Sequence, residues 1–414
     1  MGLSIGFIGC GGMAGAHRNA LGELYKAGCR DFRVIAVCDI VPERAEAMAD
    51  EFEKITGLKP AAYRDAADML SKEKELQSVL VITPHSNHHT LAMAALDAGV
   101  NVMVEKPIGF TVRAAKLMME RAEKTGLLLH VAENYRMEAG ERAVNWAIKK
   151  GMIGCPRIMN WLDIGERKWY WDWRDHLDIA GGGWTIDGGV HSADLFQYSL
   201  GKINKVWAVS RSYDQVRYAK YESLDDYEHA KKEGRYAHFR KTRSLQEINP
   251  ATLEEPVNAT VEDMTSAILE FDSGLVGTWV VSRSAPGKVD RTGSVYGSEG
   301  ALLWHEGLYN AAGENILTKE QLVEKFTSSI TPEEKDLLFP YGVKNSLSIE
   351  WKQHFDALNN VRPVEVTDEV GLMAMAIPMA VYESAECGSP VMVKDVLDLK
   401  AEAYQAKLNK IIGL

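Results

Sequence analysis

Apolar residues open the chain in an almost unbroken run, "LSIGFI" from residue 3, which stops at "GCGG" and gives way to helical apolar spacing as far as Gly28. The pattern then repeats. "FRVIAVCDI", "LQSVLVITP" and "VNVMVEKP" are short buried-strand runs, while "HHTLAMAALDAG" and "FTVRAAKLMMERAEKTG" carry the i, i+3, i+4 spacing of helices packed on one face. Strands alternating with helices predict a parallel, doubly wound α/β sheet, a Rossmann-type unit over residues 1–130. Beyond it, "KVWAVS", "MTSAILEF" and "LVGTWVVS" alternate as half-buried strands. We expect a second domain over 131–414. A mixed-charge, tyrosine-rich stretch at 211–245 breaks its pattern and reads as an insertion, either a lid or interface arm or a plain solvated excursion.

Length agrees with two domains, since 414 residues exceed what one core usually supports. A composition of 46% hydrophobic and 25% charged residues is ordinary for a globular protein. The net charge of −11 argues against nucleic-acid or anionic-membrane partners, which call for basic surfaces. No apolar run is long enough to span a bilayer, and "MGLSIGFIGCGG" enters the first strand without a leader-like segment. Five cysteines, odd in number and without a C-x-x-C pair, favour reduced thiols and a cytoplasmic location.

The chemistry gathers at strand ends. Gly9, Gly11, Gly12, Met13 and Ala14 form a G-x-G-x-x-A turn between the first strand and helix. Gly9 permits the turn, Gly11 lets backbone approach a pyrophosphate, and Ala14 lets helix and strand pack closely, with phosphate at the helix N-terminus. Asp39 ends the second strand, placed to accept hydrogen bonds from an adenosine ribose and to repel a 2′-phosphate, which favours NAD over NADP. Thr83, Pro84 and His85 lie at the next strand end, and Glu105, Lys106 and Pro107 at the one after. Lys106 reads either as a snorkelling surface lysine or as a donor beside a nicotinamide. His85, His88 and His89 suit a helix start or cofactor wall better than a metal site, for no cysteine or second carboxylate completes a tetrahedral set.

"GGGWTIDGGVHSADLF", from residue 181, places Asp187 and His191 four apart. On one helix they would share a face, as an acid/base pair, as a metal face completed by Asp194, or with Asp187 merely capping the helix. The preceding stretch is rich in aromatics, Trp161, Trp169, Tyr170, Trp171 and Trp173, which serve equally as sugar platforms or as core.

Taken together, "IGFIGCGGMAGAH", "VCDIVPERA", "ITPHSNHH", "VMVEKPIG" and "GGGWTIDGGVHSADLF" resemble the Gfo/Idh/MocA oxidoreductase family over essentially the whole chain. The resemblance implies a Rossmann domain followed by an α/β domain with a large, open, mostly antiparallel sheet. That sheet often forms subunit contacts, so a homo-oligomer, dimer or tetramer, is implied. It also implies hydride transfer between NAD(P) and a hydroxyl of a sugar, glycoside or cyclitol, with no metal. Lys106 corresponds to the family's catalytic lysine, His191 to its acid/base histidine, and Asp187 to the carboxylate partner. Trp173 and Arg174 match its W-R pair near cofactor or substrate. Asn134 and Arg136 fit positions facing nicotinamide and substrate. The family commonly shows T-P-N-x-x-H, whereas His85 stands here at the asparagine position and His88 keeps the final histidine. Two alternatives stay open: a redox-neutral glycosidase or lyase using transient oxidation, and a non-catalytic NAD-responsive regulator, against which the retention of Lys106, Asp187 and His191 argues.

Overall fold

The computed structural model describes residues 2–221 and 256–414, together with 228–229, 232 and 237–239 between them. The first domain is built from β1 (Leu3–Ile8), α1 (Gly12–Lys26), β2 (Phe32–Cys38), α2 (Pro42–Thr56), β3 (Ala61–Tyr63), α3 (Ala66–Lys72), β4 (Ser78–Val81), α4 (His88–Asp97), β5 (Asn101–Glu105), α5 (Val112–Thr125) and β6 (Leu129–Ala132). Its strands pair in parallel in the order β3-β2-β1-β4-β5-β6. The order reverses beside β1, which opens a crevice at the carboxyl ends of β1 and β4. β1 and β4 are buried along their whole length, as a sheet covered on both faces requires. The sheet continues through Ala132, two residues past the expected boundary at 130.

The second domain begins with α6 (Ala139–Lys149) and β7 (Pro156–Ile164), followed by three helices: α7 (Leu177–Ala180), α8 (Trp184–Asp187) and α9 (Gly189–Leu200). Eight more strands complete its main sheet: β8 (Ile203–Arg211), β9 (Met264–Phe271), β10 (Val276–Ser282), β11 (Asp290–Gly297), β12 (Gly300–Leu303), β13 (Gly307–Asn310), β14 (Asn315–Thr318) and β15 (Val391–Met392). Among the described residues these form a nine-stranded sheet, β14-β13-β12-β11-β7-β10-β9-β8-β15. Pairing is antiparallel except between β7 and β10. The inner face packs on α9 and on the long helix α11 (Asp368–Cys387), itself preceded by α10 (Ser346–Leu358).

α10 returns to the first domain rather than staying with the second. Trp351 is buried against Phe7 at 5.9 Å and Phe355 stacks on Phe32 at 5.1 Å between ring centroids, and the Ser348 hydroxyl donates to the Ala20 carbonyl at 3.1 Å. Removing a buried ring of this size typically costs about 3–5 kcal/mol, so this contact anchors one domain to the other. The expected insertion at 211–245 lies mostly outside the described residues; at its start, Val216–Arg217 pairs antiparallel with Val257–Asn258.

Candidate active site

The glycine turn forms as its residue types dictate. Gly9 sits at φ +108°, and a Cβ there would lie 2.2 Å from the Ile82 carbonyl oxygen, so no side chain fits. Gly11 and Gly12 face open space, Met13 is exposed, and the first turn of α1 has no side-chain cap. Its free N–H groups therefore point at an unobstructed surface, an arrangement that suits a dinucleotide pyrophosphate. Asp39 accepts from the Cys10 amide at 2.8 Å and from the Val41 amide at 2.9 Å, bracing the turn from the end of β2.

The end of β4 is bolted to the end of β5. His88 is fully buried, with one ring nitrogen 2.9 Å from the Pro107 carbonyl and the other 2.9 Å from that of Thr83. Burial pushes its imidazole down to about 4, so the ring is neutral and can donate to only one of them. His88 thus shapes the loop from behind rather than lining a cofactor surface. Thr83 and Pro84 run over this bolt, while His85 bonds the Ala180 carbonyl at 2.7 Å and carries Trp173 against its ring at 4.8 Å. Glu105 is tied to His17 at 2.8 Å; burial favours its neutral form, but the His17 hydrogen bond prevails and holds the carboxyl below its ordinary value.

Lys106 meets the glycine-rich segment of the second domain. Its ammonium donates to the Asp187 carbonyl at 2.6 Å and lies 3.3 Å from Asp187 Oδ1. Arg174 Nε reaches Asp187 Oδ2 at 3.0 Å, and His85 Nε2 lies 3.5 Å from Oδ1. Burial pushes the Asp187 carboxyl up, yet Lys106 and Arg174 together outweigh it and hold it well below the usual range. The Arg174 guanidinium also stacks over Trp173 at 4.3 Å and Trp171 at 4.8 Å.

Asp187 and His191 do not share a helix face. Asp187 ends α8, and α9 starts afresh with Gly188 at its N-cap, so Asp187 is not the cap that the sequence pattern allowed. A Cβ at Gly189 would lie 2.6 Å from the Trp279 ring, so the break sits hard against the sheet. The two side chains diverge: Asp187 turns to Lys106, and His191 Nδ1 bonds Glu133 Oε1 at 2.7 Å. Tyr135 stacks on the imidazole with centroids 3.8 Å apart. Nε2 is left without a protein partner among the described residues. Glu133, not Asp187, is therefore the carboxylate beside His191. It stands at the carboxyl end of β6, equivalent to Lys106 on β5, and that position was the signal by which "ENYR" could have revealed it.

Two expected contacts go elsewhere. Arg136 is buried and grips Asp194 through both its Nε, at 2.8 Å, and its Nη2, which removes it from the crevice and Asp194 from any metal face. Asn134 donates to Ser346 Oγ at 2.6 Å, joining the strand end to α10.

A dinucleotide-type turn over a parallel sheet, with Lys106 and Glu133 at adjacent strand ends meeting Asp187 and His191 of the second domain, fits a two-domain oxidoreductase. Residues 3–133 match the NAD-binding Rossmann fold of the Gfo/Idh/MocA oxidoreductase family, and residues 146–393 match that family's C-terminal alpha/beta domain. The chain belongs to this family. It is 30% identical to D-apiose dehydrogenase of Paraburkholderia graminis across 49% of this chain and 51% of that protein, about half the length of each. Levoglucosan dehydrogenase of Pseudarthrobacter phenanthrenivorans is 25% identical across 73% of each. A solved levoglucosan dehydrogenase in complex with NADH superposes with a TM-score of 0.70 at 21% identity, covering 95% of this chain and 99% of that one, a likeness of fold.

Proposed function

We propose that the protein uses NAD to oxidise a secondary hydroxyl of a sugar, glycoside or cyclitol, or runs that reaction in reverse, with Lys106, His191 and Asp187 as its working groups. The observation that carries this reading is the pairing of Lys106 with Asp187 beside that of His191 with Glu133, at adjacent strand ends of one crevice. NAD, when bound, accepts the hydride. His191 takes the hydroxyl proton at Nε2, because the bond from Nδ1 to Glu133 fixes the tautomer. Lys106 holds the same oxygen as alkoxide character develops, and Asp187 keeps the ammonium placed without neutralising it. Trp173, held by Arg174 and His85, offers a ring face to a sugar. Asp39 at the end of β2 supports NAD over NADP, since a second negative charge there would be repelled. The enzymes named above as acting on apiose and levoglucosan support the polyol class. They do not choose its member.

A redox-neutral cleavage through transient oxidation is favoured by one feature. Glu138 is a solvent-exposed carboxyl on the turn after β6, raised by partial desolvation and near enough for the charge of His191 to act on it, an extra acid that simple dehydrogenation leaves without a task. Free thiols at Cys10, Cys29, Cys38, Cys155 and Cys387 support a reducing, cytoplasmic setting, and no described helix is long and apolar enough to cross a membrane. A homo-oligomer, dimer or tetramer, through the outer face of the nine-stranded sheet completes the proposal.

The test follows NADH absorbance and products together, for wild type, K106A and H191A, over a panel of sugars, glycosides and inositols. NADH accumulating with a keto product supports dehydrogenation, and a cleaved product without net NADH supports the second reading. Each variant is expected to lose about 10²-fold or more in turnover while still binding NAD. Variants with unchanged turnover would remove both residues from the chemistry.

A further inference from the structure

A group of buried acids lies behind the site, and the proposed reaction uses only part of it. Glu350 on α10 is fully buried, and neither of its carboxyl oxygens has a protein hydrogen-bond partner among the described residues. An ionised carboxylate in that setting is very costly, so the group is held neutral. Burial raises it well above the ordinary range, and the nearby charges of Glu105 and Glu133 add to that. Glu105 is matched by His17 and by the Lys106 amide, at 2.8 and 3.1 Å. Glu133 is matched on one oxygen only. Its Oε1 meets His191 Nδ1 and the Tyr135 amide, whereas its Oε2 is buried without a protein partner. On its own helix, His354 lies four residues on, but it bonds Ser78 and stacks on His130, and burial lowers it to about 3. No cation is supplied from that side.

Glu350 follows Ser346 by one turn of α10, and Ser346 accepts from Asn134, the residue next to Glu133, which brings the two acids to one desolvated pocket. Acids so placed do not all ionise, and the one without a cation or N–H partner keeps the proton. What remains is one buried O–H donor, on Glu350, and one buried acceptor, Oε2 of Glu133. We propose that Glu350 is a positioning residue for the reaction: its neutral carboxyl donates through one internal water to the inner oxygen of Glu133, and so fixes the carboxylate that orients His191. Glu350 gives up no proton during turnover. Its consequence for catalysis rests on the function proposed above, but the contact itself does not.

The test is an NMR titration of His191 in wild type, E350Q and E350L, with the resonance assigned by its loss in H191N. Leucine removes the donor, so Glu133 becomes a stronger base and holds the imidazolium more tightly. The His191 titration is then expected to rise by about half a unit to one unit. Glutamine retains an N–H donor and is expected to stay near wild type. No rise in E350L, or an equal rise in E350Q, overturns the proposal. Should E350L not fold, the infrared difference between wild type and E350Q at neutral pH decides. A protonated-carboxyl stretch lost in E350Q upholds the proposal, and its absence in wild type overturns it. Neither readout needs turnover, so a protein that oxidised no polyol would lose the proposed function and still decide this point.

Discussion

Asp39 and Asp187 are both carboxylates at the rim of the crevice, and their surroundings give them different tasks. Asp187 is surrounded by cations, so its charge organises Lys106 and Arg174. Asp39 is held by two backbone amides, one on each carboxyl oxygen. Replacing Asp39 with alanine removes both bonds, each worth about 1 kcal/mol. We expect D39A to weaken NAD binding about tenfold or more and to narrow the preference over NADP, as read by titration with each cofactor. An unchanged ratio would end the ribose assignment. At this scale the sequence located side chains that gather at the crevice, but not the partners each of them takes. Gly9, Asp39, Lys106, Asp187 and His191 are all legible from strand ends and motif spacing. That His191 pairs with Glu133 rather than Asp187 is not legible from an i, i+4 pattern, because the pattern assumes one continuous helix.

The break between α8 and α9 is what separates them, and it is a property of the element. Two adjacent glycines let the chain end one short helix and begin another against Trp279, turning Asp187 one way and His191 the other. The turn after β6 is similar. Arg136, expected to face substrate, instead closes on Asp194 of α9 and so joins that turn to the helix carrying His191. R136A would leave Asp194 buried and unpaired, and we expect a loss of about 3–5 kcal/mol in stability, measured by denaturant unfolding. A stable variant with a raised substrate KM would instead return Arg136 to the substrate. The alternation of strands and helices in the first third is readable because each run is short, apolar and stopped by glycine. The origin of α10 is not, since nothing local in "SLSIEWKQHF" tells which domain its Trp351 will enter.

For the whole molecule, the two domains meet across the strand ends, and α10 fastens them from the far side. The nine-stranded sheet leaves Ile158, Trp207, Ile268, Val276 and Tyr296 exposed on adjacent strands, with Ile268 paired to Trp207 and Ile158 to both Val276 and Tyr296. A row of this kind is the surface expected to meet a second copy. W207E with I268E should therefore lower the mass measured by light scattering to that of a single chain, whereas an unaltered oligomer would place the interface elsewhere. The overall architecture was readable because hydrophobic period and motif order are written along the chain, whereas contacts between distant segments are not. The account stands or falls on hydride transfer. Its most direct measurement is to incubate the protein with NAD and ring-deuterated sugars, glycosides and inositols, and to examine the nicotinamide for deuterium. The account predicts deuterium on the nicotinamide ring with at least one substrate in wild type, appearing about 10²-fold more slowly, or more slowly still, in H191A. A protein that binds NAD and leaves it unlabelled with every substrate would contradict it.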